Sequence, residues 1–415
     1  MLKQFFDSPL RVQALRNGPS GSLLEGFAHQ LCETGYVEAT VRGYIRAAKH
    51  FIYWANKEGI PLSSFNERVL PRFADHLSQC QCPGYGPSQR LDSSCGARWF
   101  VGYVCGAGVG VAHAAEPAAQ DPVLLAAFYK WMREHRGSAD LTLYNYSISI
   151  RDLLKRIGED PRRLDAKGLR QFVLERSHKR GRSVVKMCTK ALRMFLRFLI
   201  AEGKCETGLD AAIPVVANWS LSSLPRYLQA EEVERVIAGC DSASPVGRRD
   251  RAIVLLLARL ALRASDIVQL RLGHIDWKGA WISVSGKNRC EMRLPLTQEV
   301  GEAIVDYLQD GRPQSETDVV FVRSRAPFRG FATHSAVSAI VAQAMRRAGV
   351  ACPSRGAAHV LRHSVATSML RQGASLQDIA VILRHRSIET TQIYAKVDVT
   401  ALQRIAQPWP QVQPC

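Results

Sequence analysis

Between His359 and Tyr394 the chain reads HVLRHSVATSMLRQGASLQDIAVILRHRSIETTQIY. His359 and Arg362 lie three residues apart, so on a helix they share a face. His385 and Tyr394 follow downstream. Arginine presents a planar fork of donors that matches phosphate oxygens, and histidine moves protons near neutral pH. A phenol placed among such groups is suited to attack on phosphorus.

Three helices must hold these side chains together. Val360, Leu361, Val365, Met369 and Leu370 interleave with the polar residues at helical spacing and predict a half-buried helix that Gly373 ends. Ser375 is a candidate N-cap for a second helix, with Asp378 three residues on as a weak capping box. A third helix is expected from about Ser387, carrying Tyr394.

The motifs HVLRH, LRH and TTQIY resemble the C-terminal motifs of the tyrosine recombinase (phage integrase) family. Other segments fit the same likeness, which runs from residue 226 to 407. ALRASDI resembles the family's first arginine motif and places Arg263 at a helix entry, with Ser265 as a possible cap and Asp266 in the first turn. Two mild departures stand there: Ala261 where the family has Gly, and Asp266 where it has Glu. WISV (281–284) and MRLPL (292–296) read as a hairpin with Lys287 at its turn. VVFVR (319–323) reads as one more strand.

The resemblance implies a catalytic set of Arg263, Lys287, His359, Arg362, His385 and Tyr394. Tyr394 would attack the DNA backbone to give a 3′-phosphotyrosyl bond, which conserves the phosphodiester energy, so rejoining needs no ATP. Arg263 and Arg362 would hold the nonbridging oxygens. Lys287 would protonate the leaving 5′-oxygen, His359 would assist proton movement at the tyrosine, and His385 would hydrogen-bond the phosphate. Asp266 would orient the pocket. His363 is read as a helix-packing residue. No metal or other cofactor is expected, since the protein supplies the cations.

The remaining sequence is compatible with a polyanion partner. Its 415 residues hold 55 Lys+Arg against 37 Asp+Glu, a net charge of +18. No apolar run is long enough to span a membrane and no secretory signal opens the chain. With eleven scattered cysteines, this places the protein in a reducing cytoplasm. Cys80, Cys82, Cys95 and Cys105 share one Gly-rich region, but a CxC followed by isolated cysteines is unlike the paired ligands of a zinc ribbon.

The expected fold is mainly α-helical with a small β-sheet in a C-terminal α+β catalytic domain. Residues 1–118 form an N-terminal helical domain, with a poorly periodic lead-in to about residue 22. Residues 119–205 form a helical core-binding domain, 206–225 a linker, 226–407 the catalytic domain and 408–415 a tail. Gly35, Thr40 and Tyr44 match Gly137, Thr142 and Tyr146 at one offset, so the first domain reads as a duplicate of the second. The second is the more basic, with 16 Lys/Arg against 6 Asp/Glu from Arg151 to Lys204. Lys186, Lys190, Arg193 and Arg197 fall on one helical stripe, read as a phosphate-contacting face.

The function expected is a site-specific recombinase or integrase, carried on a mobile element and acting as a tetramer on paired double-stranded DNA sites. The linker would let two domains close around a duplex, and accessory proteins could steer direction. Two other functions compete: a type IB topoisomerase, which needs no paired sites, and a DNA-binding protein with an inert site.

Overall fold

In the computed structural model, residues 1–17, 20–85, 90–109, 121–217, 224–285, 291–354, 356–385, 387–397, 402–403 and 406 are described. Residues 112–220 form one compact unit, and residues 1–111 with 221–415 form the other.

The N-terminal helices are α1 (Pro9–Arg16), α2 (Gly21–Glu33), α3 (Glu38–Lys57), α4 (Val69–Ser78) and α5 (Arg90–Gly106). The lead-in is more ordered than its pattern implies. Leu2, Phe5, Phe6, Val12 and Leu15 are all buried in the same core as α2 to α5. Leu2 sits on a 3-10 turn, Val12 and Leu15 on α1, and Phe5 and Phe6 between them, too few residues on any one element for a periodic signal to accumulate. Helix α3 is the centre: Val41, Ile45, Ala48, Phe51 and Ala55 are fully buried along it, and α5 packs against it through Ala97, Phe100 and Val104. Helix α5 begins at Arg90, within a Ser- and Gly-containing stretch.

The second unit repeats this order with α6 (Val123–Arg136), α7 (Asp140–Ile157), α8 (Ala166–Lys179) and α9 (Arg182–Ala201). In the sets α2–α5 and α6–α9 alike, the second helix packs on the fourth, α3 on α5 and α7 on α9. In both, a left-handed glycine follows the first helix, Gly35 at φ 85° and Gly137 at φ 54°, where a Cβ would be strained. Val185, Cys188, Leu192, Phe195 and Leu199 bury one face of α9. The stretch read as linker is drawn partly into this unit. Residues Leu209–Ala212 make a turn of 3-10 helix, and Ile213 sinks into the core beside α9. A single apolar residue behind a polar turn leaves little trace in the sequence. Residues 218–223 of that linker, and the tail from 408, lie outside the described residues.

The C-terminal helices surround α11 (Pro245–Arg259), whose run from Ala252 to Leu257 is completely buried. Its start is capped by the Ser244 hydroxyl, which accepts from the Gly247 N–H at 3.1 Å. Around it stand α10 (Ala230–Ala238), the short α12 (Ala264–Gln269), α13 (Gln298–Asp310), α14 (His334–Arg347) and α15 (Ala357–Arg371). A three-stranded antiparallel sheet in the order β1 (Ile275–Asp276), β2 (Trp281–Ser285), β3 (Glu291–Pro295) closes one side. Ile282 pairs with Leu294 across it, both buried. The expected strand 319–323 contributes isolated bridges instead, Arg271 to Val319 and Val322 to Gly330. The Arg312 side chain accounts for part of this, since it donates to the carbonyls of Thr317, Val319 and Val320 and takes acceptors a strand partner would use.

Candidate active site

Arg263 is placed by the tight turn between α11 and α12. Ala261 is held there in the left-handed region at φ 50°, which explains why glycine suits this position. Ser265 does not cap α12. The Asp266 carboxylate does, accepting from the backbone N–H of Arg263 at 2.8 Å.

Arg362 projects from α15 and is buried. Its Nη1 donates to the Ala261 carbonyl and its Nη2 to the Leu383 carbonyl. Arg263 Nη2 donates to the same Leu383 carbonyl at 3.1 Å and to the Arg384 carbonyl at 2.8 Å. Two guanidinium groups from helices 99 positions apart (362 − 263 in the chain numbering) therefore converge on one oxygen.

The acceptors sit at the end of α16 (Leu376–Ile382). The Ser375–Asp378 capping box forms as expected and starts this helix. Past its end, Arg384 takes φ 53°, a backbone position that favours glycine. Its side chain turns inward and Nη2 donates to Asp266 Oδ2. Sequence reasoning misses Arg384, because an arginine between two motif residues has no signal of its own. The pocket thus gathers Arg263, Arg362 and Arg384 around one buried carboxylate. Burial, then Arg263 and Arg384, pull the Arg362 pKa down to about 9, so it stays charged at neutral pH. Nε and Nη1 of Arg384 are buried with no hydrogen-bond acceptor among the described residues.

Tyr394 is almost completely buried, against Ala261, Ala366, Ile379 and Leu383. It does not lie on an α-helix. The chain from Ser387 makes two 3-10 turns, Ile388–Thr390 and Gln392–Val397. Thr391, itself buried, ties the turn back to the site by bonding His385 Nδ1 through its hydroxyl at 2.8 Å, which holds the segment off a continuous helix. The phenol of Tyr394 meets His363 Nδ1 at 2.7 Å. Burial raises the Tyr394 pKa to about 12, with Arg362 close enough to oppose the shift. Burial, then His359 and Arg362, lower His363 to about 4, so its neutral ring can accept a hydrogen bond from the phenol.

His363, not His359, touches the tyrosine. His359 is exposed, and desolvation followed by Arg362 lowers its pKa. His385 is half-buried and pushed down to about 4 by burial, then Arg362 and Arg263. Lys287 lies outside the described residues. On α9, the Lys186 and Lys190 side chains have no ion pair or hydrogen bond among the described residues, but Arg193 donates to the carbonyls of Ile213 and Pro214 at 2.9 and 3.0 Å. Arg197 pairs with Asp210 at 3.1 Å. Half of the expected stripe is committed to holding the 3-10 turn that follows.

Comparisons with known proteins identify the family to which the chain belongs. Residues 226–400 match the model of the phage integrase family. A putative integrase/recombinase y4rA of Sinorhizobium fredii is 36% identical over 417 residues, covering 99% of both chains. The tyrosine recombinase XerD of Lacticaseibacillus casei is 28% identical, covering 65% of this chain and 92% of its own. Among solved structures, XerH recombinase bound to a palindromic difH substrate aligns at a TM-score of 0.54 and 18% identity, over 68% of this chain and 83% of XerH. A lambda integrase dimer on a COC′ core site aligns at 0.51 and 17%, over 70% and 98%. These two show the shared fold. The full-length likeness to the Sinorhizobium relative shows more: the chain belongs to the phage integrase family of tyrosine recombinases and is a site-specific recombinase.

Proposed function

We propose that this recombinase cuts and rejoins double-stranded DNA through a covalent bond between Tyr394 and a 3′-phosphate. The observation that carries the reading is the convergence of Arg263 and Arg362 on the Leu383 carbonyl, with the Tyr394 phenol hydrogen-bonded to the residue that follows Arg362 on α15. Those guanidiniums now satisfy themselves on neutral carbonyls, and Arg384 keeps two donor atoms unmet among the described residues. An incoming phosphodiester offers charged acceptors to all three, which are stronger partners than carbonyls.

In the reaction, the Tyr394 oxygen attacks phosphorus and the P–O5′ bond breaks. The phenolic proton passes to His363 Nδ1, and the 5′-oxygen takes a proton as it leaves. Lys287 is the donor that family resemblance offers for that last step. Arg263 and Arg362 bind the nonbridging oxygens, where negative charge grows in the transition state. His385, neutral in its present surroundings, hydrogen-bonds the same phosphate. Asp266 holds Arg384 and the Arg263 backbone in register. The 5′-hydroxyl of a second strand then attacks the phosphotyrosine and reverses the chemistry.

The XerH and lambda integrase structures are complexes with their DNA sites, the latter a dimer. They support duplex DNA as the substrate and assembly of several copies, for which a tetramer on two sites is the proposed active form. Lys186 and Lys190 are the proposed phosphate contacts of the helical unit.

The test is a nicked duplex from the ends of the DNA element that carries the gene. A short fragment diffuses away after cleavage and traps the intermediate. Wild-type protein should give a protein–DNA adduct that survives denaturation, and Tyr394→Phe should give none. An adduct that forms equally well with Tyr394→Phe contradicts the proposal. Relaxation of a supercoiled plasmid lacking such sites would favour the topoisomerase alternative.

A further inference from the structure

The N-terminal helical module contains a second group of chemically capable residues, far from the recombinase chemistry in type and sequence. His50 lies on α3, His76 on the last turn of α4, and Cys80 and Cys82 on the loop that follows. One donor atom from each lies within 4.8 Å of all the others. We propose that these four side chains bind a single zinc ion, which fastens the end of α4 and its loop to α3.

The geometry suits a mononuclear tetrahedral site. Cys80 Sγ is 3.4 Å from His50 Nε2, and Cys82 Sγ is 3.4 Å from His76 Nε2. With Zn–S near 2.3 Å and Zn–N near 2.0 Å, a tetrahedral zinc separates neighbouring N and S ligands by roughly 3.5 Å. These two pairs are already at that spacing, and all four donor atoms lie within 4.8 Å of one another. The backbone N–H of Cys82 points at Cys80 Sγ at 3.4 Å, the kind of donor that steadies a thiolate. A two-iron cluster would need more room between its ligand pairs than these shared distances leave.

Charge and burial point the same way. Two thiolates and two neutral imidazoles around Zn²⁺ give a neutral complex, which suits a buried setting. His50 is 2% exposed, and its Nδ1 is buried without a hydrogen-bond partner among the described residues. A thiol is a weak partner for so deeply buried a ring, and a metal ion is a strong one. Aromatic rings line the group, in which His50 and Cys82 are buried and His76 and Cys80 half-buried. Tyr85 stacks on His50 at 3.9 Å between centroids, Trp54 stacks on His76 at 5.9 Å, and Phe73 meets His50 edge-on at 5.3 Å.

Binding would displace the two thiol protons to solvent as two Zn–S bonds form, with no change of oxidation state. Cys80 and Cys82 are both free thiols here. Cys95 and Cys105 take no part: Cys95 contacts the Tyr44 hydroxyl and Cys105 the Phe65 carbonyl.

The experiment uses the full-length protein purified without a metal-affinity tag. Elemental analysis should find about one zinc per chain. Zinc should be absent from the Cys80→Ser/Cys82→Ser protein and kept in the Cys95→Ser/Cys105→Ser protein. Should the first variant fail to fold, wild type stripped with a chelator and given Co²⁺ decides. The expected spectrum has the intense visible bands of tetrahedral cobalt and a thiolate charge-transfer band, and His76→Asn should alter it. Wild type that holds no zinc after incubation and desalting, and gives no tetrahedral cobalt spectrum, overturns the proposal. So does zinc that remains when Cys80 and Cys82 are both replaced in a folded protein.

Discussion

The pairing of Tyr394 with His363 is the most informative contact in the catalytic unit. A phenol whose pKa burial lifts to about 12 is a poor nucleophile until a base takes its proton. His363 is the group within reach. Replacing His363 with Gln should slow single-turnover cleavage by ~10²-fold, within the usual range for removing a general base. His359→Gln should cost less, since that ring does not touch the phenol. Single-turnover rates on the nicked duplex decide the order. A second prediction concerns Asp266, the one carboxylate among three guanidiniums. Asp266→Ala leaves buried cations uncompensated and should destabilise the protein by ~3 kcal/mol, read as a lower urea midpoint. Of these residues, Arg263, Arg362, His385 and Tyr394 are legible in the sequence because each sits in a motif with fixed neighbours. His363 is not, because two histidines four apart on one helix differ only in where the tyrosine turn lands. Arg384 is not, because nothing in LRH announces a left-handed backbone that swings its side chain inward.

At the scale of elements, the site depends on short pieces held by specific caps. Helix α16 delivers both the Leu383 carbonyl and His385, and its start rests on the Ser375–Asp378 box. Ser375→Ala should cost about 1 kcal/mol and raise hydrogen exchange in α16 ahead of α11. Unchanged protection there would contradict this role for the cap. The sequence carries the long helices well. Helices α3, α9 and α15 have apolar stripes many turns long, and Gly and Pro mark their ends. It carries the short elements poorly. The 3-10 turns around Tyr394, the buried lead-in before α2 and the bridges at 319–323 are set by tertiary partners such as Thr391 to His385 and Arg312 to its three carbonyls. The four-residue cluster of the N-terminal module escapes a linear reading for a related reason. Its histidines lie on two helices, and only their packing brings them to the CxC loop.

For the whole molecule, charge and pH give measurable consequences. Basic residues exceed acidic ones by 18, so duplex binding should weaken steeply with salt. Replacing Lys186 and Lys190 together should flatten the salt slope by about 0.9 for each phosphate no longer neutralised. Arg193→Ala should instead lower the stability of the helical unit, because that side chain is bonded to its own backbone. Acid should unfold the catalytic unit early. His363 and His385 have folded pKa values near 4, below the usual 6.5. Between these limits the unfolded chain binds more protons, so stability is full above pH 6.5 and falls away as pH drops toward 4. Urea midpoints at several pH values would show it, and a flat profile would contradict the burial of both rings. All of this surrounds one bond, between a phenolic oxygen and a DNA phosphorus. The trapped complex should therefore be digested with nuclease and protease and the nucleotide-bearing peptide sequenced by tandem mass spectrometry. The account predicts a residual nucleotide joined through its 3′-phosphate to Tyr394. A nucleotide on any other residue, or a 5′-linkage, would contradict it.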